Sequence, residues 1–231
     1  MCGRFALASN PKAIAELFSL PEPPDFLHPR YNVAPSQKVC VVARKNDGSL
    51  AAGMVTWGLV PHWANSPNDG HCPVNARAET VYTNPVFREP FRSNRCLIPV
   101  SGFYEWQKTG TKPSSPKHPY HIRMKSGEPF AFAGLWDVWG EGSEKIVTCC
   151  TITVSPNDVL APIHDRMPLI VPREDFGRWL SPDTSFAELL TMLTPYPAEQ
   201  MEAYRVGKAV GNARSEGPEC IARVVEERTL F

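Results

Sequence analysis

A cysteine stands directly after the initiator methionine. Removal of Met1, favoured when the next side chain is small, would make Cys2 an N-terminal 1,2-aminothiol, a grouping that no other position in a chain offers. Its α-amine, with a reference pKa near ~7.7–8.0, and its thiol, near ~8.5, are both nucleophiles once deprotonated. An aldehyde meeting them forms an imine with the amine, and the thiol then closes a five-membered thiazolidine. Position alone does not decide this, because most second-residue cysteines are inert. Gly3 adds room for close approach, and Arg4 adds a fork that matches phosphate.

Other residues could serve such chemistry. Glu105 sits between Tyr104 and Trp106. Desolvation there would raise its pKa and make it an acid/base, although a strand with Glu105 facing water fits the pattern equally well. His164, Asp165 and Arg166 occupy a turn between apolar strands, and His is the natural proton shuttle near neutral pH. A plain structural turn is the alternative. Asn75, Arg77 and Glu79 alternate, so an extended segment puts them on one face. Trp57 and Trp63 bracket a Gly and a Pro and form either a hydrophobic anchor, the commoner outcome, or a stacking platform for bases. Phe87 and Phe91 interleave with Arg88, Arg92 and Arg95, which suits single-strand binding or an ordinary amphipathic helix end. His118 and His121 are too few for a metal site. Gly140 and Gly142 lack the third glycine of a dinucleotide loop.

Short elements must position these residues. Asn10, Pro11, Ile14, Leu17 and Phe18 predict a capped helix that the Pro21–Pro24 run ends. Tyr31–Pro35 reads as a turn. Strands are predicted at Val39–Ala43, Ala52–Trp57, Cys96–Val100, Tyr120–Met124, Pro129–Trp136 and Ile146–Val154. Turns fall at Asn46–Gly48, Ser126–Gly127 and Gly140–Gly142, and polar loops at Asn65–Gly70 and Thr109–Lys117. Helices are predicted at Arg173–Leu180 and Thr184–Leu193, the second with Phe186, Leu189, Leu190 and Leu193 on one face.

Composition sets the limits. The chain has 231 residues, 42% of them hydrophobic, and a formal net charge of +0. A global pull toward nucleic acid is therefore absent, and any such binding needs a local patch. Its 15 Arg outnumber its 9 Lys, and Arg is the better reader of phosphates and base edges. Seven Cys without a CxxC pair read as reduced, buried thiols of a cytosolic protein. No signal peptide or bilayer-spanning run is visible. The 24 Pro imply many turns and few long helices.

Taken together, Cys2–Phe5, Tyr31–Pro35, Trp57-Gly58 with Pro61 and Trp63, Asn75–Arg77 with Glu79, Gly102–Trp106 and His164–Pro168 resemble the SOS response-associated peptidase (SRAP) family of abasic-site processing proteins. The resemblance spans residue 2 to about 217. It implies an α+β fold in one domain over 1–231, with mixed, mostly antiparallel sheets approaching a barrel and peripheral helices. It implies a crosslink between Cys2 and abasic sites in single-stranded DNA, with no cofactor and no metal. Asn75 would orient the Cys2 amine, Glu105 would move protons, and His164 would assist opening of the sugar ring. Arg4, Arg77 and Arg166 would hold phosphates, while Trp63, Phe91 and Trp106 would stack on bases. Lyase side activity and self-removal of Met1 are implied as well, in a cytoplasmic, nucleoid-associated monomer. The competing readings are an N-terminal-nucleophile amidohydrolase and a non-covalent single-strand-binding module.

Overall fold

The unbroken apolar runs become the most enclosed strands. Phe130–Leu135 and Thr148–Val154 are buried at every position, as expected for strands covered on both faces. The computed structural model describes residues 2–67, 72–110, 112 and 115–224. In chain order the elements are β1 (Phe5–Leu7), α1 (Pro11–Phe18), β2 (Arg30–Val33), β3 (Lys38–Arg44), β4 (Leu50–Trp57), β5 (Asn75–Arg77), α2 (Arg88–Ser93), β6 (Arg95–Val100), β7 (Gly102–Lys108), β8 (Lys117–Met124), β9 (Phe130–Trp139), β10 (Ile146–Val154), β11 (Met167–Pro168), β12 (Ile170–Val171), α3 (Phe176–Leu180), α4 (Phe186–Thr191) and β13 (Met201–Arg205).

The fold is α+β with two mostly antiparallel sheets. One sheet runs β13-β8-β7-β1-β2. The other runs β11-β10-β4-β3-β6-β9-β12, and a further β10–β9 pairing closes its centre into a ring of β10, β4, β3, β6 and β9. β10 runs parallel to β4 and β5 and antiparallel to β9 and β11. Ser101 is the crossover between sheets: β6 before it belongs to the ring, and β7 after it belongs to the other sheet. Its N–H donates to Ala6 O at 2.8 Å, which ties the crossover to β1.

β1, a strand of the first sheet, packs against the ring. The Phe5 ring lies 5.2 Å from Trp57 and 6.1 Å from Phe132, and Phe103 meets Phe132 at 5.7 Å. Burying such rings contributes about 2–3 kcal/mol each. The start of the chain is therefore anchored by core packing rather than left as a fraying end.

The first helix forms as its residues predict. Asn10 accepts from Ala13 N at 2.9 Å, Pro11 sits at the first turn, and Ile14, Ala15 and Phe18 are buried. Phe18 stacks on Phe176 at 5.0 Å. The later helices are shorter than expected. Residues Arg173–Asp175 form a 3-10 turn before α3, and α4 spans only Phe186–Thr191 under a Ser185–Glu188 capping box. Only Leu189 of its apolar face is buried, while Phe186 and Leu190 are exposed at 47% and 36%. Parts of both predicted polar loops, residues 68–70 and 111 with 113–114, lie outside the described residues, as does Met1.

Candidate active site

Cys2 precedes β1 and is completely buried, with its Sγ 3.9 Å from Arg4 O. Burial, and then the negative charge of Glu105, push the thiol far above its ordinary range, so it is held protonated. Asn75 Nδ2 donates to Cys2 O at 2.7 Å. The amide therefore grips the carbonyl of Cys2 rather than its nitrogen. Asn75 Oδ1 accepts from the Thr151 hydroxyl. The parallel pairing of β5 with β10 sets Asn75 opposite Thr151, which is why the two side chains meet.

Glu105 lies in β7, opposite Tyr120 of β8, and is 3% exposed. Water-facing Glu105 is thus excluded. Desolvation, helped by the negative charge of Asp165, raises its carboxyl to about 7. His164 Nε2 lies 3.8 Å from Glu105 Oε2, near enough for charge interaction but longer than a hydrogen bond. Burial holds the imidazole below its usual range. Its Nδ1 accepts the backbone N–H of Arg166 at 3.0 Å and has Asp165 Oδ1 at the same distance. A buried carboxyl that titrates near neutrality, beside an imidazole, is suited to moving protons in both directions.

The loop carrying His164 is pinned from three sides. Gln107 Nε2 donates to Pro162 O at 2.9 Å, Asn157 Nδ2 donates to Tyr196 O at 2.8 Å, and His164 N donates to Leu160 O at 2.9 Å. Cys2, Asn75, Glu105 and His164 therefore converge, drawn from the chain start, β5, β7 and the segment before β11.

The six expected DNA contacts divide. Arg77 and Trp63 are exposed, Trp63 at 55%. Trp106 is half-buried, with the Arg4 guanidinium 5.9 Å from its ring centroid. Arg4 Nη1 donates to Asn32 Oδ1 and Val210 O, each at 2.7 Å. Arg166 is gripped at both terminal nitrogens by Glu79, at 2.6 and 3.0 Å, and its side chain is only 15% exposed. Phe91 corrects the expectation: it is 0% exposed and packs edge-on against Trp179 at 6.2 Å, leaving no face for a base. Arg95 beside it is a core residue too, donating to the carbonyls of Trp179, Phe91, Arg92 and Ser181. With Phe87 and Phe91 both buried, the Phe/Arg interleaving offers no ring face for a base.

Several partners carried no sequence signal. Thr151 looks like any β-branched strand residue. Asn32, 0% exposed, accepts from Arg4 and donates to the carbonyls of Val210, Asn212 and Ser215. Glu216 Oε1 accepts from Tyr31 N at 2.6 Å and Asn32 N at 3.2 Å, closing the edge of β2. Among the described residues no group of three or more His, Cys, Asp or Glu is placed to hold a metal ion, and no helix is long and apolar enough to cross a membrane.

Fold and site together define an α+β protein whose first cysteine stands just before a core-anchored strand, beside a glutamate–histidine pair. The SRAP model, SOS response associated peptidase, matches residues 1–213, and the chain belongs to that family. It is 43% identical over 227 residues to the abasic site processing protein YoqW of Bacillus subtilis (strain 168), covering 96% of this chain and 99% of that one. It is 30% identical over 232 residues to the abasic site processing protein YedK of Escherichia coli (strain K12), covering 97% and 100%. A crystal structure of a Bacteroides thetaiotaomicron protein superposes with a TM-score of 0.82 at 26% identity, covering 97% of this chain and all of that one.

Proposed function

We propose that the protein processes abasic sites in DNA by crosslinking to them through Cys2. The observation that carries this reading is the convergence of Cys2 with Glu105 and His164, with Asn75 fixed on the Cys2 carbonyl. An abasic site is in equilibrium with a ring-opened aldehyde. His164, neutral at pH 7, assists that opening through Nε2. With Met1 removed, the Cys2 amine adds to the aldehyde carbon. Protonated Glu105 gives its proton to the departing hydroxyl, so water leaves and an imine forms. The thiol then adds across the C=N bond. Its proton passes to the nitrogen by way of the Glu105 carboxylate, and a thiazolidine remains.

The order of events follows from the charges. The thiol is held protonated, so the amine acts first and the thiol needs a base at the second step. The same point weighs against the amidohydrolase alternative, which requires the thiol as first nucleophile. The imine stage also acidifies the adjacent sugar carbon, which permits a slow lyase reaction. Self-removal of Met1 is part of the reading, with Glu105 as the nearby acid/base.

Arg77, Trp63 and Trp106 present charge and ring faces suited to a flexible single strand, and Arg4 lies beside Trp106. A cytoplasmic location fits the free thiols.

The test is a denaturing gel of protein mixed with single-stranded DNA bearing one abasic site, alongside intact DNA. A heat-stable shifted band is expected with wild type and not with Cys2→Ala or with a form retaining Met1. No band from wild type shown by mass to lack Met1 would sink the crosslinking reading.

A further inference from the structure

We propose that His62 is a phosphate ligand for single-stranded DNA, standing beside Trp63 and held by Asp137. The inference deepens the function proposed above and rests on the DNA binding in that reading, not on the Cys2 chemistry.

Asp137 is the only charged residue of β9, and its side chain is just 7% exposed. His62 N donates to Oδ2 at 2.9 Å, Val138 N donates to Oδ1 at 2.8 Å, and His62 Nδ1 lies 3.0 Å from Oδ2. Among the described residues His62 is the one basic side chain within ion-pair distance of Asp137. A buried carboxylate without lysine or arginine draws its compensation from this imidazole. A carboxylate only accepts, so Nδ1 carries the proton and Nε2 is the outer nitrogen. The His62 side chain is 54% exposed, which leaves the ring beyond that contact open to a ligand. Protonated, the outer nitrogen is a positively charged donor; neutral, it has no proton to give a phosphate oxygen.

The neighbours of His62 are anchored. Val60 N donates to Thr148 Oγ1 at 2.9 Å, Ala64 N to Pro61 O at 3.0 Å, and Trp139 Nε1 to Ala64 O at 2.7 Å. Residues 60, 62 and 64 are thus tied to β10 and β9, and exposed Trp63 stands between two fixed neighbours. β4 and β5 both pair with the edge of β10 opposite β9. His62, Trp63, Asn75 and Arg77 therefore come from one excursion off one edge of β10.

Few charges surround the ring. β4, β10 and residues 58–67 hold no Lys, Arg, Asp or Glu, and Glu141, Glu144 and Lys145 follow in the β9–β10 turn. Among the described residues of the segment joining β4 to β5, the exposed Cys72 thiol is the only other titratable group. His62 is there the one group able to meet the phosphate of a base stacked on Trp63.

The rival view is that the ring only braces the loop that displays Trp63. Both views predict that His62→Gln weakens binding of undamaged single-stranded DNA, and they differ in salt and pH. Stacking releases no counterion, so a displaced Trp63 costs affinity equally at every salt concentration and on both sides of the imidazole range. A phosphate contact costs it only where the imidazole is protonated.

The test titrates a fluorescently labelled undamaged oligonucleotide with wild type, His62→Gln and His62→Lys over a range of salt, at about pH 5.5 and about pH 8. Thermal melts confirm that each variant is folded. At the lower pH His62→Gln should lower the log–log salt slope by about 0.7 and the affinity by about fivefold near ~0.1 M salt. At the higher pH it should match wild type. His62→Lys, a fixed cation, should keep the steeper slope at both. Comparison within each pH cancels the other groups that titrate in this range. A loss in His62→Gln that is equal at both pH values with an unchanged slope, or no loss at all, overturns the proposal. Wild type that binds no DNA removes both this proposal and the reading it rests on. Wild type that binds and crosslinks while His62→Gln matches it throughout removes this proposal alone.

Discussion

The Thr151 hydroxyl donates to Asn75 Oδ1 while Asn75 Nδ2 donates to Cys2 O, so both ends of one amide are engaged at the candidate site. An amide left to itself could present oxygen or nitrogen to the Cys2 carbonyl, and only nitrogen makes a bond there. The Cys2 carbonyl selects the nitrogen, and the Thr151 hydroxyl, fully buried in β10, satisfies the oxygen that then points away from it.

Replacing Thr151 by Val keeps the shape and removes the donor. Asn75 Oδ1 then lacks its partner, at a cost of about 1–3 kcal/mol. The melting temperature should drop and crosslinking should slow, whereas Thr151→Ser should retain both. Wild-type crosslinking kinetics in the Val variant would show that the amide is oriented by something else.

The raised carboxyl of Glu105 makes stability depend on pH. Its folded value near 7 lies above its ordinary 4.5, so the native state holds a proton that the unfolded chain has released. The stabilisation is present in full below pH 4.5 and is lost as pH rises through 7. It amounts to a few kcal/mol, on the order of the linkage energy for such a displacement. Glu105→Gln should flatten the melting-temperature profile between these limits and raise stability at pH 8, while losing the proton transfer. A profile unchanged by the substitution would mean that Glu105 is ionised in the folded protein.

Binding of undamaged single-stranded DNA should separate the surface from the core. Arg77→Gln is expected to lower the log–log salt slope by about 0.7. Trp63→Ala should cost about 1–3 kcal/mol of affinity if one base stacks on it. Phe91→Leu should leave affinity intact and lower stability by about 1–2 kcal/mol through poorer packing against Trp179. Titrations at several salt concentrations, paired with thermal melts, check all three.

Asn32 holds Arg4 and three carbonyls of the 210–215 segment from a position without solvent access. Asn32→Ala strands those groups, and a loss of about 3 kcal/mol or more is expected. Hydrogen exchange should rise first in the 207–216 segment, and Arg4 should lose its fixed direction over Trp106. Exchange rising uniformly across the chain instead would show that the segment is not held by Asn32.

Sequence reading succeeds where local chemistry dominates. Asn10 and Pro11 specify the start of α1, and Asn46–Gly48 the β3–β4 turn, where Gly48 takes a φ of +84°. The ends of β10 coincide with the predicted run. It misses β1, β2 and β13, which are three to five residues long and are strands because of their pairing: β1 and β13 on the longer β7 and β8, and β2 on β1. Cys2, Asn75, Glu105 and His164 stand out by residue type and by resemblance, but their meeting is tertiary. Arg166 also has a partner that the sequence does not announce: Glu79, 87 positions away, lies against both of its terminal nitrogens. Phe91 fails as a stacking residue because an exposed ring and a core ring look alike in a sequence.

The burial of Cys2 also has a bearing on the order of synthesis. The residue that the site is built around stands second in the chain, yet Asn75, Glu105 and Thr151 are translated long after it. A nascent chain therefore offers its first residues to an external aminopeptidase well before β5, β7 and β10 exist to enclose them. Once those strands have formed, Cys2 is buried at 0% exposure, so the interval before they form is when its neighbourhood is most open.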